Sequence, residues 1–386
     1  MENNKSILNK IILSKQTRDA YKFSAPEIIS KIFSSLSAKE KDVIRHRFGL
    51  EGEERQTLEE IGQGHHITRE RIRQIQSSVI KKIKSLEEIK EYLDAFSSTV
   101  KRIIGEYGGI MEEAHLLNEL AAFNDDSEHS RRATTFIISE LLDDHVEHVK
   151  KTERVLPGWK LRMFSIEALQ EILEVLYDLI EKENRLFVLK ELIGVFKNSE
   201  YFSKNKTKIL LPVFSEINDD SKEDVNLQNY LQSYLTIASK IDKNILNEWG
   251  LKHWPIVTPK RMGDKVYLIL KKENKPMHFT EITTAINNTK FDKKIAYPAT
   301  IHNELILDDR FVLVGRGIYA LKEWGYESGT VSDVIVEILK KAGRPMTKDE
   351  IADVVLKKRL VKTGTIFLAL TNKNRFKKIG NTYILA

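Results

Sequence analysis

Between Thr68 and Leu86 the apolar residues Ile72, Ile75, Val79, Ile83 and Leu86 recur every three or four positions. A helix turns about 100° per residue, so this spacing places all five on one narrow stripe. Glu70, Arg73, Gln74, Ser77, Lys81 and Lys84 fall on the opposite side, with Arg69 at its margin. Thr68 stands before the pattern as an N-cap. Upstream, Ser37 with Glu40 and Thr57 with Glu60 have capping-box spacing. The first predicts a helix to about Phe48, stopped by Gly49. The second predicts a short helix from Leu58 to about Gln63. The turn GQGHHI separates it from the long helix that starts at Arg69. A short helix, a tight turn and a basic amphipathic helix predict a helix-turn-helix, whose second helix lies in the DNA major groove.

The chain also repeats itself. KKENKPMHFTEI (Lys271 to Ile282) aligns without gaps with KKAGRPMTKDEI (Lys340 to Ile351). RFVLVGRGIYAL (Arg310 to Leu321) matches RFKKIGNTYILA (Arg375 to Ala386) at the Arg-Phe pair, with a following Gly and, one place out of step, a Tyr. Self-similarity of this kind marks a duplicated unit. Each copy reads as a helix ending at a basic, Pro-containing turn, then a second helix, Thr280 to Ile286 or Lys348 to Leu356. A third helix follows at about Ala299 to Ile306 or Gly364 to Asn372. Two short strands then flank a Gly turn, at Gly315 or Gly380. Three helices and a β-hairpin make a winged helix. Two weaker copies are expected upstream. One begins at VKRIIGEYGGIMEEAHLLNEL and closes with VEHVKKTERVLPGWKL; the other begins at LYDLIEKENRLFVLKELIGVF and ends near WGLKHWPIV.

LSAKEKDVIRHRFGL, TLEEIG and TRERIRQI resemble region 4 of the sigma-70 family, the part that reads the −35 promoter element. The resemblance covers about Ser34 to Leu86. By position it implies base-reading and backbone-contacting roles for Arg69, Glu70, Arg73 and Gln74. Their chemistry suits such roles: arginine can grip guanine O6 and N7, glutamine can pair with adenine, and glutamate can accept from cytosine N4. Ser77 shares that face, and Lys81 and Lys84 are placed for phosphates. The chain departs from the family at Gln76, where an acid is usual, and at GHHI, which replaces a more apolar turn. His65 and His66 have no third ligand close in sequence and read as turn residues, so no metal site is expected. No segment carries the aromatic-rich pattern of the core-binding and promoter-melting region, so the chain is not expected to act as a complete sigma factor. The segment from about Pro259 to Tyr326 resembles the HARE-HTH winged helix, which recurs in the delta subunit of bacterial RNA polymerase and in chromatin and restriction proteins. The last copy resembles it more loosely. That family implies a DNA-associated adaptor.

Charge adds a second basic surface. From Ile256 to Ala386 there are 24 Lys plus Arg against 14 Asp plus Glu, whereas the rest of the chain has 38 against 42. Within that acidic remainder, Arg69 to Lys84 alone has six cations and one acid. Two basic surfaces point to a polyanion. In LKKRLVKTGT, Lys357, Lys358, Arg359 and Lys362 adjoin the start of the last third helix and are candidate DNA-backbone contacts. GRGIYALKEWG lacks a strand-to-helix phosphate turn and reads as a wing, and His302 in HNEL reads as a packed helix residue. The 386 residues contain no cysteine, which excludes disulfides and thiolate metal sites. No apolar run approaches the roughly 20 residues of a membrane helix. A cytoplasmic, nucleoid-associated location is expected.

These observations predict a mainly α chain: a sigma region 4-like helix-turn-helix followed by serial winged-helix modules with short β-hairpin wings. The expected division is an extension at 1–24, the helix-turn-helix at 25–90, and modules at 91–163, 164–258, 259–327 and 328–386. The expected partners are double-stranded DNA and bacterial RNA polymerase at its flap region, with no enzyme activity, cofactor, small-molecule substrate or membrane. The alternatives are a polymerase-associated adaptor whose winged helices hold proteins, and a non-catalytic subunit of a DNA modification or restriction system.

Overall fold

The computed structural model of the chain describes residues 24–121, 127–210, 223–326 and 329–386. The expected N-terminal extension lies outside these residues except for Ser24. The chain divides into two compact units, Met1–Asp242 and Lys243–Ala386. Among the described residues no helix is long and apolar enough to cross a membrane.

The first unit opens with α1 (Ala25–Ser34), capped by Ser24, and α2 (Ala38–Phe48). At the start of α2 the Glu40 carboxylate accepts from the Ser37 N–H at 2.8 Å, while the Ser37 hydroxyl accepts from the Glu40 N–H. Gly49 stops α2 in the left-handed conformation, φ 64°, where a side chain would be strained. The second capping box, Thr57 with Glu60, starts α3 (Leu58–Gly64), and Thr68 caps α4 (Arg69–Lys84). Gly62 lets α3 and α4 approach: a Cβ there would lie 2.8 Å from the Ile67 carbonyl oxygen.

The chain continues through α5 (Glu87–Glu106), β1 (Ile110–Glu112), α6 (Glu113–Ala121) and α7 (Glu128–Phe136). A π-helical turn, Ile137–Leu141, then leads to β2 (Val146–Val149) and β3 (Gly158–Leu161). The three strands form an antiparallel sheet in the order β1-β3-β2. Helix α5 passes through residue 90 without a break. Ile28, Ile32 and Phe33 of α1, Val79 and Ile83 of α4, Val100 and Ile104 of α5, Phe136 of α7 and Trp159 of β3 belong to one buried cluster. The helix-turn-helix therefore shares its core with the winged helix that follows it. Four helices come next, α8 (Ile166–Glu183), α9 (Leu189–Lys197), α10 (Glu200–Leu210) and α11 (Glu223–Ile237). Helix α11 packs on the sheet, where the Ser233 hydroxyl donates to the Ile110 carbonyl and the Tyr234 hydroxyl donates to that of Gly108.

After β4 (Ile241–Lys243) and β5 (Trp249–Leu251), the second unit has two winged helices built alike. The first comprises α12 (Met262–Glu273), β6 (Met277–His278), α13 (Phe279–Thr289), α14 (Pro298–Leu307), β7 (Phe311–Gly315) and β8 (Ile318–Leu321). The second comprises α15 (Val331–Ala342), β9 (Met346–Thr347), α16 (Lys348–Lys358), α17 (Thr363–Leu370), β10 (Phe376–Ile379) and β11 (Thr382–Leu385). Both sheets are antiparallel, in the orders β6-β8-β7 and β9-β11-β10, the same arrangement as β1-β3-β2. The repeat in the sequence is thus a repeat in topology. Each copy has its own apolar core, one around Ile282 and Leu305, the other around Ile351 and Leu370. His302 packs its ring against Phe279 and Tyr319 at 5.0 and 5.9 Å, as a helix residue facing the wing. The wing turn differs from expectation. Gly315 is the last residue of β7, beside a register shift, and the turn residue with positive φ is Gly317 at 69°.

Candidate nucleic-acid interface

Helix α4 is held along one side and open along the other. Ile72, at its N-terminal end, is buried with Val43 of α2 and Ile61 of α3. Val79 and Ile83 enter the larger core. Full burial of each aliphatic side chain stabilises by about 1.5–3 kcal/mol, so the helix cannot rotate without exposing this stripe. Ile75 and Leu86 complete it but are only partly buried. On the other side Arg69, Glu70, Arg73, Gln74, Ser77 and Lys81 are all exposed.

The exposed face is ordered by its own pairs. Arg73 meets Glu70 in a two-pronged ion pair, Nε to Oε2 at 2.8 Å and a terminal nitrogen to Oε1 at 2.7 Å. Both side chains remain more than half exposed. The hydrogen bond from Arg73 holds the Glu70 carboxyl below its ordinary value, and Glu70 raises Arg73 in return. Arg71 donates to the amide oxygen of Gln74 at 3.1 Å, and Gln74 in turn helps to lower the Glu70 carboxyl. The apolar period does not single out Arg71, which lies at the edge of the stripe and steadies Gln74.

The C-terminal end of α4 is tied down by ions. Lys82 reaches Glu40 at 2.9 Å, and this contact, with the Ser37 N–H, lowers the Glu40 pKa. Lys84 pairs with Asp143, beyond the π-helical turn, so its ammonium is already engaged by protein. Lys81 is the outward lysine at that end. In the turn before α4, the His65 Nε2 lies 2.7 Å from Asp42 Oδ2, and His66 takes the left-handed conformation at φ 55°. Among the described residues no group of three or more His, Cys, Asp or Glu is placed to hold a metal ion.

The C-terminal candidates separate. Lys357 and Lys362 are exposed and Lys358 is half-buried, but Arg359 is only 5% exposed. Its guanidinium donates to the Leu313 carbonyl at 2.8 Å and to the Gly329 carbonyl. The next residue, Leu360, donates its N–H to the Val314 carbonyl at 3.0 Å. Arg359 is a clamp between the two winged helices of the second unit, not an open cation. Burial lowers its pKa from the ordinary arginine value. Further exposed cations, Lys373, Lys377 and Lys378, lie in and beside strand β10, outside the run of candidates drawn from the sequence. The available signal is the absence of any acid between Val354 and Ala386.

The fold and this face define a helix-turn-helix protein with a basic recognition helix. Residues 32–85 match the sigma-70 region 4 family, so the chain carries a sigma-70 region 4 domain. Over 70 residues it is 44% identical to RNA polymerase sigma factor SigA of Nostoc sp., covering 17% of this chain and 18% of that protein. Over 58 residues it is 53% identical to RNA polymerase sigma factor RpoD of Helicobacter pylori, covering 15% and 9%. Over 72 residues it is 43% identical to RNA polymerase sigma factor sigB of Arabidopsis thaliana, covering 18% and 13%. The chain spans less than a fifth of the length of these relatives.

Replacing Arg359 with alanine removes two hydrogen bonds from a charged group and is expected to destabilise the second unit by about 1.5–3 kcal/mol. Lys362→Ala, at an exposed position, should change stability by less than about 0.5 kcal/mol. Urea unfolding of the two variants checks this; equal midpoints would contradict the clamp.

Proposed function

We propose that this protein is a DNA-binding transcription protein that contacts promoter DNA through the exposed face of α4. The observation that carries the reading is the outward set Arg69, Glu70, Arg73 and Gln74, with Glu70 and Arg73 already paired, on a helix locked by its opposite stripe. Arg73 and Gln74 read base edges, and Glu70 orients Arg73 while remaining able to accept from cytosine. Lys81 and Ser77 meet the phosphate backbone farther along the helix. Lys84 adds a phosphate contact only if it exchanges Asp143 for DNA. The protein associates with RNA polymerase, at the flap region, through the domain it shares with the sigma factors named above. The winged helices between and after serve as DNA-associated or protein-binding modules of the HARE-HTH kind, and the protein works in the cytoplasm on the nucleoid.

One observation favours a second reading, that of a polymerase-associated adaptor. Helix α14 has no Lys or Arg, and Tyr297, Ile306 and Leu307 at its ends are exposed. That helix suits a protein partner better than a phosphate backbone, so the winged helix from α12 to β8 acts as an adaptor while α4 holds DNA.

Arg73→Ala and Gln74→Ala should each cost about 1–3 kcal/mol on a preferred duplex and relax specificity at one base pair. Titration against preferred and scrambled duplexes checks this, and equal losses on both would contradict base readout. For the polymerase, the chain immobilised on beads should retain purified core enzyme, and deletion of residues 259–326 should weaken retention if α14 is the adaptor surface. Core enzyme that flows through unretained would remove polymerase from the reading.

A further inference from the structure

The two winged helices of the second unit have the same topology and are both net basic, but they differ in charge from the third helix through the wing. From the start of α14 to the end of β8, the acids Glu304, Asp308 and Asp309 stand against Arg310 and Arg316. Arg310 is also spent internally, on Asp308 and Asp264. From the start of α17 to the end of β11 there are four cations, Lys373, Arg375, Lys377 and Lys378, and no acid. The acid-free stretch runs from Val354 to Ala386, with eight Lys plus Arg.

Two of these eight are structural. Arg359 is the buried clamp, and Arg375 pairs with Asp333 at 2.5 Å. Lys357, Lys362, Lys373, Lys377 and Lys378 are exposed and have no ion pair among the described residues. They occupy the end of α16, the N-cap of α17, the loop after α17 and strand β10. Thr363, Thr365, Thr371, Asn372 and Asn374 are exposed among them. Lysines on an edge strand also guard against edge pairing, and β10 is an edge strand. That explanation reaches Lys377 and Lys378 only. It does not account for Lys362 or Lys373, or for the missing acids.

Helix α17, in contrast to α4, has no charged residue, and Leu368 on it is 71% exposed. A surface with cations on the wing and at the ends of the third helix, but none along it, can grip phosphates without reading bases. We infer that the last winged helix is a second, sequence-tolerant duplex-DNA contact, made by Lys362, Lys373, Lys377 and Lys378 around the wing, and that the neighbouring winged helix does not share this role. The inference deepens the proposed function and rests on it for the nature of the ligand, but not on the residues of α4. Tethering this contact to the one on α4 raises the effective concentration of each for the same duplex.

The test uses the full-length chain and fluorescent duplexes of preferred and scrambled sequence, titrated over a range of salt. Lys373→Gln, Lys377→Gln and Lys378→Gln combined should weaken binding to both duplexes by the same factor. The slope of log affinity against log salt should become shallower by about 0.9 for each phosphate that is no longer neutralised. Arg316→Gln, in the wing of the neighbouring copy, should leave the slope unchanged. An unchanged slope in the triple variant overturns the inference, and it does so whether or not core polymerase still binds. An unchanged slope with polymerase capture abolished assigns the lysines to an acidic protein surface instead. Arg73→Ala with Gln74→Ala separates the two claims. If that pair leaves the preference for one sequence intact, the reading of α4 fails while the wing contact stands.

Discussion

Burial of Ile72, Val79 and Ile83 fixes which side of α4 can meet another molecule. Those three side chains are at most 1% exposed, and they are shared between two cores, one within the helix-turn-helix and one that continues into the following winged helix. The recognition helix is therefore rigid with respect to the whole buried cluster from Ala25 to Leu161. Lys82 with Glu40 and Lys84 with Asp143 reinforce its C-terminal end. A reading head must hold its side chains in one register to discriminate bases, and preorganised positions lose less on binding. The Arg73–Glu70 and Arg71–Gln74 pairs extend that order to the side chains themselves.

The same fold is used with different chemistry along the chain. The helix-turn-helix places cations along its second helix. The winged helix from α12 to β8 presents apolar residues and a balanced surface, and the last one has its cations around the wing and none on its third helix. The clamp at Arg359, with the Leu360 to Val314 bond, links those last two copies, so their surfaces are presented together. The tandem copies differ in charge and exposure, not in topology, which the three winged-helix sheets share.

Local chemistry is legible in the sequence, and long-range chemistry is not. Ser37, Thr57 and Thr68 cap the helices they are expected to cap, and Gly49 ends α2 in the left-handed conformation, because caps act within three or four residues. The apolar period of α4 names its buried stripe, and the KKENKPM and KKAGRPM repeat names a structural one. Arg359 reads as an open cation because it stands in a run of lysines. Its acceptors, Leu313 and Gly329, lie 46 and 30 residues away, beyond what pattern conveys. The partner of Lys84 is hidden for the same reason, because Asp143 lies 59 residues on. Spacing puts Gly315 in the wing turn, which a local register shift moves to Gly317. The common core of the first two modules is hidden because α5 reads equally well as an end or a beginning.

The central claim is that DNA lies against the exposed face of α4. A photoreactive side chain placed at Ser77 of the full-length chain measures it directly, with a second at Val188, an exposed position beside α9, as reference. On irradiation with a bound duplex, the account predicts a covalent adduct to DNA from Ser77 and none from Val188. Duplex binding that persists while Ser77 yields no adduct would contradict it.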